Sequence, residues 1–425
     1  MIPMKYIRDN VEQVKTGLGH KGLPAEQIDQ LLAIDETLRS RLTAVESLKA
    51  ERNKASELIA VRKREGQPAD EQIAAMGRLS SQIKALDKEV QTTREHLHTL
   101  LFAIPNLPHA STPVGADESA NKVIETNGEP LEHTFEAREQ HQLLTSLRLV
   151  DFEAGVRMSG KGFPVYTGRG ARLERALINF MLDLHTREHG YTELYPPFLT
   201  TRASATTTGQ LPKLEEDMYV TTVDDLFLIP TAEVPVTNYY QGEVLSEEEL
   251  PVKFTAFSAC FRREAGSYGK ETKGLLRLHQ FNKVELVKFV HPDSSYDELM
   301  TLRSDAERVL QILGLAYRVV ELCTGDLSFA GAKCFDLEVY APATKRWLEV
   351  SSCSNYEAFQ ARRGSIKYRK SKTGKLDFVH TLNGSGVATP RLMVALLENY
   401  QQRDGSIRLP EALVPYFGAE TVEPE

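Results

Sequence analysis

Residues 261–281 read FRREAGSYGKETKGLLRLHQF, two arginine-bearing segments on either side of a loop of glycine and lysine. The chain continues as NKVELV (282–287). As a strand, its period of two places Arg277, His279, Phe281, Lys283 and Glu285 on one face, opposite Leu278, Gln280, Asn282, Val284 and Leu286. On the preceding run Arg262 and Glu264 share a face just before the loop. Paired antiparallel, the two strands make one platform carrying guanidinium groups, an aromatic plane and a carboxylate. Guanidinium offers a fork of donors to phosphate oxygens, a ring stacks on a purine, and a carboxylate holds an ammonium or hydroxyl. This order of chemical types suits a grip on a nucleoside triphosphate without a Walker-type loop, and neither GxGxxG nor GxxxxGK[ST] occurs. A face of solvated charges accounts for Arg262 or Glu285 singly, but it leaves Phe281 exposed among charges for no reason.

Further β-rich runs lie around this pair: LFLIP, VKFTAFSACFRRE, KCFDLEVYAP and RWLEVSSC, with helical stretches near 296–313 and 389–403. Strands segregated from helices predict an α+β catalytic domain built on an antiparallel sheet flanked by helices, rather than a doubly wound one. Upstream, residues 172–189 form an amphipathic helix with Leu173, Ala176, Leu177, Phe180, Met181 and Leu184 on one face. It runs into YTELYPPFL (191–199), an extended piece ended by Pro196 and Pro197. That helix suits either a core position or a subunit contact.

From about 28 to 101 apolar residues recur at three-then-four spacing. Leu31, Ile34, Leu38, Leu42, Val45, Leu48, Ala55 and Ile59 form one stripe, interrupted by Arg52; Met76, Leu79, Ile83, Leu86, Val90, Leu97, Leu100 and Leu101 form the other. Gly66 and Pro68 separate two helices of about 30 residues each, an antiparallel arm of about 45 to 50 Å. Narrow stripes suit two helices zipped to each other and exposed elsewhere. Arg52 and the tip cluster Arg62, Lys63 and Arg64 are the local hint of RNA, against an ordinary spacer or dimerisation coiled coil. The proline-rich segment around 103–123 reads as a linker. The expected division is 1–105 for the arm-bearing domain, 106–125 for the linker and 126–425 for the catalytic domain.

Composition narrows the partners. The 425 residues carry a net charge of −8, which excludes a protein that coats nucleic acid nonspecifically, and 41% apolar content supports a sizeable core. The four cysteines, Cys260, Cys323, Cys334 and Cys353, include no CxxC pair, so no zinc and no disulfide framework is expected. With no apolar run of about 18 residues and charges in MIPMKYIRDN, the chain reads as cytoplasmic, with no membrane partner.

Two further stretches carry chemistry. In LEVSSCSN (348–355) Glu349 and Ser352 offer hard oxygens to a magnesium ion bridging phosphates, a pattern also common at plain strand ends. In NGSGVATPRLMVALLENY (383–400) Thr389 is the expected N-cap, Pro390 the first helical residue, and Arg391 stands at the positive end of a buried helix. An arginine is reasonable there if it faces an anion such as a nucleotide phosphate.

Taken together, the helix and strand ending at Pro197, the FRRE…RLHQF pair and the stretch ending at Arg391 resemble the three signature motifs of class II aminoacyl-tRNA synthetases. PTAEVPVTN (230–238), FRREAGSYG, LCTGDLSFAGAK (322–333), EVSSCSN, FQARR (359–363), HTLNGSG (380–386) and ENYQ (398–401) narrow the resemblance to the bacterial-type seryl-tRNA synthetase family. An N-terminal antiparallel coiled-coil arm is that family's hallmark. The resemblance spans essentially the whole chain.

It implies ATP-dependent ligation of L-serine to its tRNA through a seryl-adenylate, with release of pyrophosphate and AMP. By resemblance Arg262 and Arg391 are the catalytic cations. Arg262 contacts the α-phosphate, Glu264 the adenine side of ATP, and Phe281 stacks on adenine, while Arg277 and Arg391 bind the rest of the triphosphate. Arg263, Val350 and Ser351 complete the ATP-contacting set, and Glu349 and Ser352 hold Mg2+. Thr231, Ala232, Glu233, Arg262, Glu285, Asn383 and Ser385 are implied for serine. The arm, through Arg52, Arg62, Lys63 and Arg64, and the loop, through Lys270 and Lys273, are implied to touch serine tRNA, with selenocysteine tRNA as a further candidate. A homodimer is also implied. The chain departs from many class II third motifs at Ala388, where glycine is common, and at Pro390. A ligase that loads a carrier protein and a catalytically silent RNA-binding paralogue are the alternatives. The long arm weighs against the first, and the joint presence of Arg262, Glu264, Phe281, Glu349 and Arg391 against the second.

Overall fold

A computed structural model describes residues 1–264 and 274–424. The chain divides into two compact units, Met1–Pro105 and Asn106–Glu425.

In the first unit two short helices precede α1 (Ala25–Arg64) and α2 (Asp70–Ala103). The hairpin exceeds the expected length: 40 residues in α1 correspond to about 60 Å at 1.5 Å per residue. Leu31, Leu38, Val45 and Ile59 are buried against Ile83, Val90, Leu97 and Leu101. Ile34 is only partly buried, and Asp35 takes the adjacent inner position at 4% exposure. Its carboxylate tolerates burial because Arg8 Nη1 and Arg39 Nε each lie 2.9 Å away. Lys49 pairs with Asp87 at 3.1 Å and Arg41 with Glu89 at 3.2 Å across the two helices. No helix among the described residues is long and apolar enough to cross a membrane.

The second unit is built on an eight-stranded sheet. Its strands are β1 (Lys122–Asn127), β2 (Thr192–Leu194), β3 (Val252–Phe261), β4 (Gln280–Val290), β5 (Tyr317–Glu321), β6 (Lys333–Ala341), β7 (Arg346–Asn355) and β8 (His380–Ala388). Their order is β1-β5-β6-β7-β8-β4-β3-β2, antiparallel except for β2 against β3. The segment expected as a linker belongs to this unit. Asn106 Nδ2 donates to the carbonyls of Ala330 and Tyr356 at 2.9 Å, and residues from 122 onward form an edge strand.

The helices α3 (Gly168–Arg187), α4 (Ser295–Ile312) and α5 (Thr389–Tyr400) cover one face of the sheet. Leu173, Leu177, Met181 and Leu184 of α3 meet Val284 and Leu286 of β4 in the main core. The apolar face of α3 is therefore spent inside its own unit. On β4 the even positions feed this core, while Val287 and Phe289 join a smaller cluster on the opposite face. The odd positions 281–285 remain for chemistry, as the period of two demands.

Two bulges decide what the sheet presents. On β7, Ser351 pairs with Leu337 and Glu349 with Glu338, so Val350 is an inserted residue. On β8, Ser385 pairs with Glu285 and Ala388 with Lys283, which inserts one residue around Gly386 and Val387. Val387 has φ +111°, a left-handed value that a β-branched residue rarely adopts. The departure from glycine at 388 costs nothing, because Ala388 itself is extended at φ −73°. Ala388, not Thr389, is the N-cap of α5. Thr389 is inside the helix, and its hydroxyl donates to Glu174 and to the carbonyl of Asn282.

Candidate active site

β3 and β4 run as a ten-pair antiparallel ladder from Val252↔Phe289 to Phe261↔Gln280. Arg262 N donates to the His279 carbonyl at 2.9 Å and carries the pairing up to the 261–281 loop. A cavity of about 620 Å³ lies on the face that bears Phe281 and Lys283. Its wall gathers Thr231, Glu233, Arg262, Glu264, Arg277, Phe281, Glu349, Val350, Ser352, Asn383, Ser385 and Arg391 from six separate stretches of chain.

Glu285 lies directly behind the wall at one end, its side chain wholly buried and held by Thr231, Lys283 and Asn383, which line the cavity. Thr231 Oγ1 donates to its Oε2 at 2.5 Å, Asn383 Nδ2 donates to its Oε1, and the Lys283 ammonium pairs with Oε2. Three donors on one buried carboxylate keep the charge compensated. Beside it, Glu233 accepts from Gln360 Nε2 at 2.6 Å. Burial, and then the negative charge of Glu285, push the Glu233 carboxyl up to about 7. Tyr356 OH donates to Asn383 Oδ1 at 3.2 Å and closes the wall.

At the other end the cations meet acidic or aromatic neighbours. Arg277 Nη1 lies 2.9 Å from Glu264 Oε2, and Arg391 Nη1 lies 3.2 Å from Glu349 Oε2 while donating to the Glu349 carbonyl at 2.8 Å. The Arg262 guanidinium rests on the Phe281 ring. Such an end can take a polyanion attached to a flat aromatic group, by exchanging carboxylate partners for phosphate.

Glu349 and Ser352 are three residues apart, which a regular strand would send to opposite faces. The inserted Val350 brings both to the cavity wall. Behind Ser352 stands its cross-strand partner Asp336. Burial, followed by the charge of Glu349, pushes the Asp336 carboxyl up, so two carboxyls act on each other beside Ser352. That donor set of hard oxygens fits a divalent cation of the magnesium type. Among the described residues no group of three or more His, Cys, Asp or Glu side chains could hold a metal alone. A cation here would take its remaining ligands from phosphate and water.

Arg263, Ala232 and Ser351 are placed elsewhere. Arg263 is exposed and its main chain is tied to Asp217; Ala232 is in the smaller core cluster; Ser351 Oγ donates to the Ser385 carbonyl at 2.6 Å behind the wall. Lys270 and Lys273 lie outside the described residues. Arg52, Arg62, Lys63 and Arg64 are in the first unit, the last three closing α1, and none pairs with a carboxylate among the described residues. Sequence reasoning assigned nothing to Lys283, Tyr356 or Asp336. Parity had put Lys283 on the right face, so that signal was present; the other two required the pairing of distant strands.

Known proteins resemble this chain along its whole length. Residues 1–108 match the seryl-tRNA synthetase N-terminal domain, and residues 218–400 match the tRNA synthetase class II core domain (G, H, P, S and T). The chain is 51% identical to the serine–tRNA ligase of Geobacter sulfurreducens, over 98% of this chain and 99% of the relative. It is 52% identical to that of Caldicellulosiruptor bescii over 100% of both chains. Among solved structures, seryl-tRNA synthetase from Pyrococcus horikoshii complexed with ATP superposes with a TM-score of 0.96 at 34% identity, covering 100% of each chain. The cytoplasmic serine–tRNA ligase of Naegleria fowleri in complex with AMP gives 0.88 at 27% identity, covering 99% of this chain and 97% of that one.

Proposed function

The chain belongs to the seryl-tRNA synthetase family, and from that premise we propose how its cavity performs the family's reaction. It is a serine–tRNA ligase: ATP activates L-serine as seryl-adenylate, and the seryl group passes to tRNA.

In the first step a serine carboxylate oxygen attacks the α-phosphorus of ATP in line, and the bond to the β-phosphate oxygen breaks to release pyrophosphate. In the second a ribose hydroxyl of the terminal adenosine of the tRNA attacks the seryl carbonyl, and AMP leaves. Neither step uses a side-chain nucleophile. The protein contributes positioning and charge neutralisation, terms that supply orders of magnitude in phosphoryl chemistry.

Phe281 takes adenine on its ring and Glu264 its polar edge. Arg262 meets the α-phosphate, and Arg277 and Arg391 the rest of the triphosphate. Glu349 and Ser352 would hold Mg2+, which supplies charge neutralisation at the phosphates when bound. Thr231, Glu233, Glu285, Asn383 and Ser385 form the serine pocket. Its buried hydrogen-bonding groups reject alanine, whose missing hydroxyl would leave them unpaired, but separate threonine by only about 1 to 3 kcal/mol for one methyl group.

Arg52, Arg62, Lys63 and Arg64 would meet serine tRNA along the arm, with Lys270 and Lys273 at the acceptor end. Selenocysteine tRNA shares that recognition in this reading. We place the protein in the cytoplasm as a homodimer. With the apolar face of α3 spent internally, support for dimerisation comes from Tyr195 at 77% exposure and Leu199 at 46%, beside edge strand β2.

The observation that carries this reading is the buried, triply donated Glu285 carboxylate directly behind Thr231, Lys283 and Asn383, in a wall that also holds Arg262, Phe281 and Arg391. ATP–pyrophosphate exchange with serine, threonine, alanine and glycine, with and without tRNA, tests it. Serine alone should drive strong exchange, and tRNA should accept the product. Exchange without tRNA charging would favour a carrier-protein ligase, and no exchange a silent paralogue.

A further inference from the structure

Lys283 lines the cavity, has only 8% of its side chain exposed, and pairs with the wholly buried Glu285. A lysine is seldom this buried without a task, because desolvating an ammonium is costly. Its place on the strand indicates the task. Phe281, Lys283 and Glu285 follow each other on one face of β4, and alternate residues of a strand are about 6.8 Å apart. Adenine at Phe281 and the serine ammonium at Glu285 therefore leave Lys283 level with the atoms between them, the α-phosphate and the serine carboxylate. Arg262 approaches the same place from β3: Lys283 and Arg262 both act electrostatically on the Cys260 thiol, and Lys283 is the cross-strand partner of Ser258.

Resting on the assignment of serine and adenine above, we propose that Lys283 is a further substrate-contacting residue of adenylate formation. The serine ammonium replaces it at Glu285, and it turns to the serine carboxylate and then to the α-phosphate of the adenylate. Charge balances throughout. Serine is a zwitterion, and the Lys283–Glu285 pair is its complement, so one ion pair is exchanged for two without leaving a buried charge uncompensated. When the carboxylate becomes an acyl phosphate its charge leaves with pyrophosphate, and the single negative charge that the α-phosphate keeps lies within reach of the same ammonium.

Binding of L-serine and of L-serinamide, which keeps the ammonium and hydroxyl but lacks the carboxylate, is measured alongside serine-dependent pyrophosphate exchange. Wild type should prefer serine. In Lys283→Met that preference should fall at least about tenfold and exchange kcat at least about 100-fold, while ATP binding is retained; Lys283→Arg should restore part of both. If Lys283→Met does not fold because Glu285 is left uncompensated, Lys283→Met/Glu285→Gln removes that charge and should still lose the preference. Equal weakening of serine and serinamide, or a kcat within about threefold of wild type, would show a plain counter-ion for Glu285 and overturn the proposal. Wild type without serine-dependent exchange would instead overturn the underlying reading of the site.

Discussion

The Arg262 guanidinium lies 5.1 Å from the centroid of the Phe281 ring, so the cation assigned to the α-phosphate touches the ring assigned to adenine. Base stacking on an aromatic ring is worth about 1 to 3 kcal/mol. Phe281→Ala should therefore raise the KM for ATP about 10- to 100-fold and leave the KM for serine nearly unchanged, as read by pyrophosphate exchange. Equal effects on both substrates would place Phe281 in the scaffold.

Arg391 and Glu349 are bound to each other at 3.2 Å, so the phosphate-binding cation and the proposed magnesium ligand are released together. Glu349→Gln should loosen Arg391 and remove a cation ligand. The Mg2+ concentration needed for half-maximal exchange should rise at least about tenfold, whereas ATP binding without Mg2+ should hold or improve. Titration calorimetry with and without the metal separates the two effects.

Glu233 is pushed up to about 7, so its carboxyl is largely protonated at pH 6 and ionised at pH 8. The ionised form adds a second negative charge near Glu285 and so strengthens the attraction for the serine ammonium. Serine affinity should accordingly rise with pH across this window by up to about tenfold, since one proton is involved. In Glu233→Gln that dependence should vanish, leaving affinity near its low-pH value.

Replacing Glu285 by Ala removes the partner of Thr231, Asn383 and Lys283 together. Serine-dependent exchange should fall at least about 100-fold, with a loss of about 3 to 5 kcal/mol in stability from the uncompensated Lys283. ATP binding to the folded fraction, followed by fluorescence quenching, should persist. Undiminished exchange would remove Glu285 from the serine pocket.

Deleting residues 28–101 takes away most of α1 and α2. Adenylate formation should survive, because the cavity wall comes entirely from the second unit. Charging of tRNA should be lost. Reversing the charge of Arg62, Lys63 and Arg64 should weaken tRNA binding at low salt and flatten its salt dependence.

The arm and the platform were legible because both rest on local periodicity. A three-then-four spacing defines a zipped helix whatever surrounds it, and it located Leu31, Leu38, Val45 and Ile59 on the buried side. It placed Ile34 in the stripe and gave no sign of a buried Asp35, because the Arg8 that compensates Asp35 lies 27 positions away, beyond any local pattern. Parity put Phe281, Lys283 and Glu285 together, yet gave no reason to single out Lys283, since its partner choice depends on how deeply the pair is enclosed.

The sequence alone determined that two long helices zip, that β4 presents an aromatic ring and charges on one face, and which motifs the chain shares with its family. These follow from spacing, which the chain carries in itself. Only the tertiary structure decided that Glu349 and Ser352 look the same way, that Ser385 and Ala388 both reach the cavity, and that each arginine of the site has a neighbour to exchange. A bulge is a mismatch between two strands, and a salt bridge is a meeting of two distant segments. Neither exists until the sheet has brought those segments together.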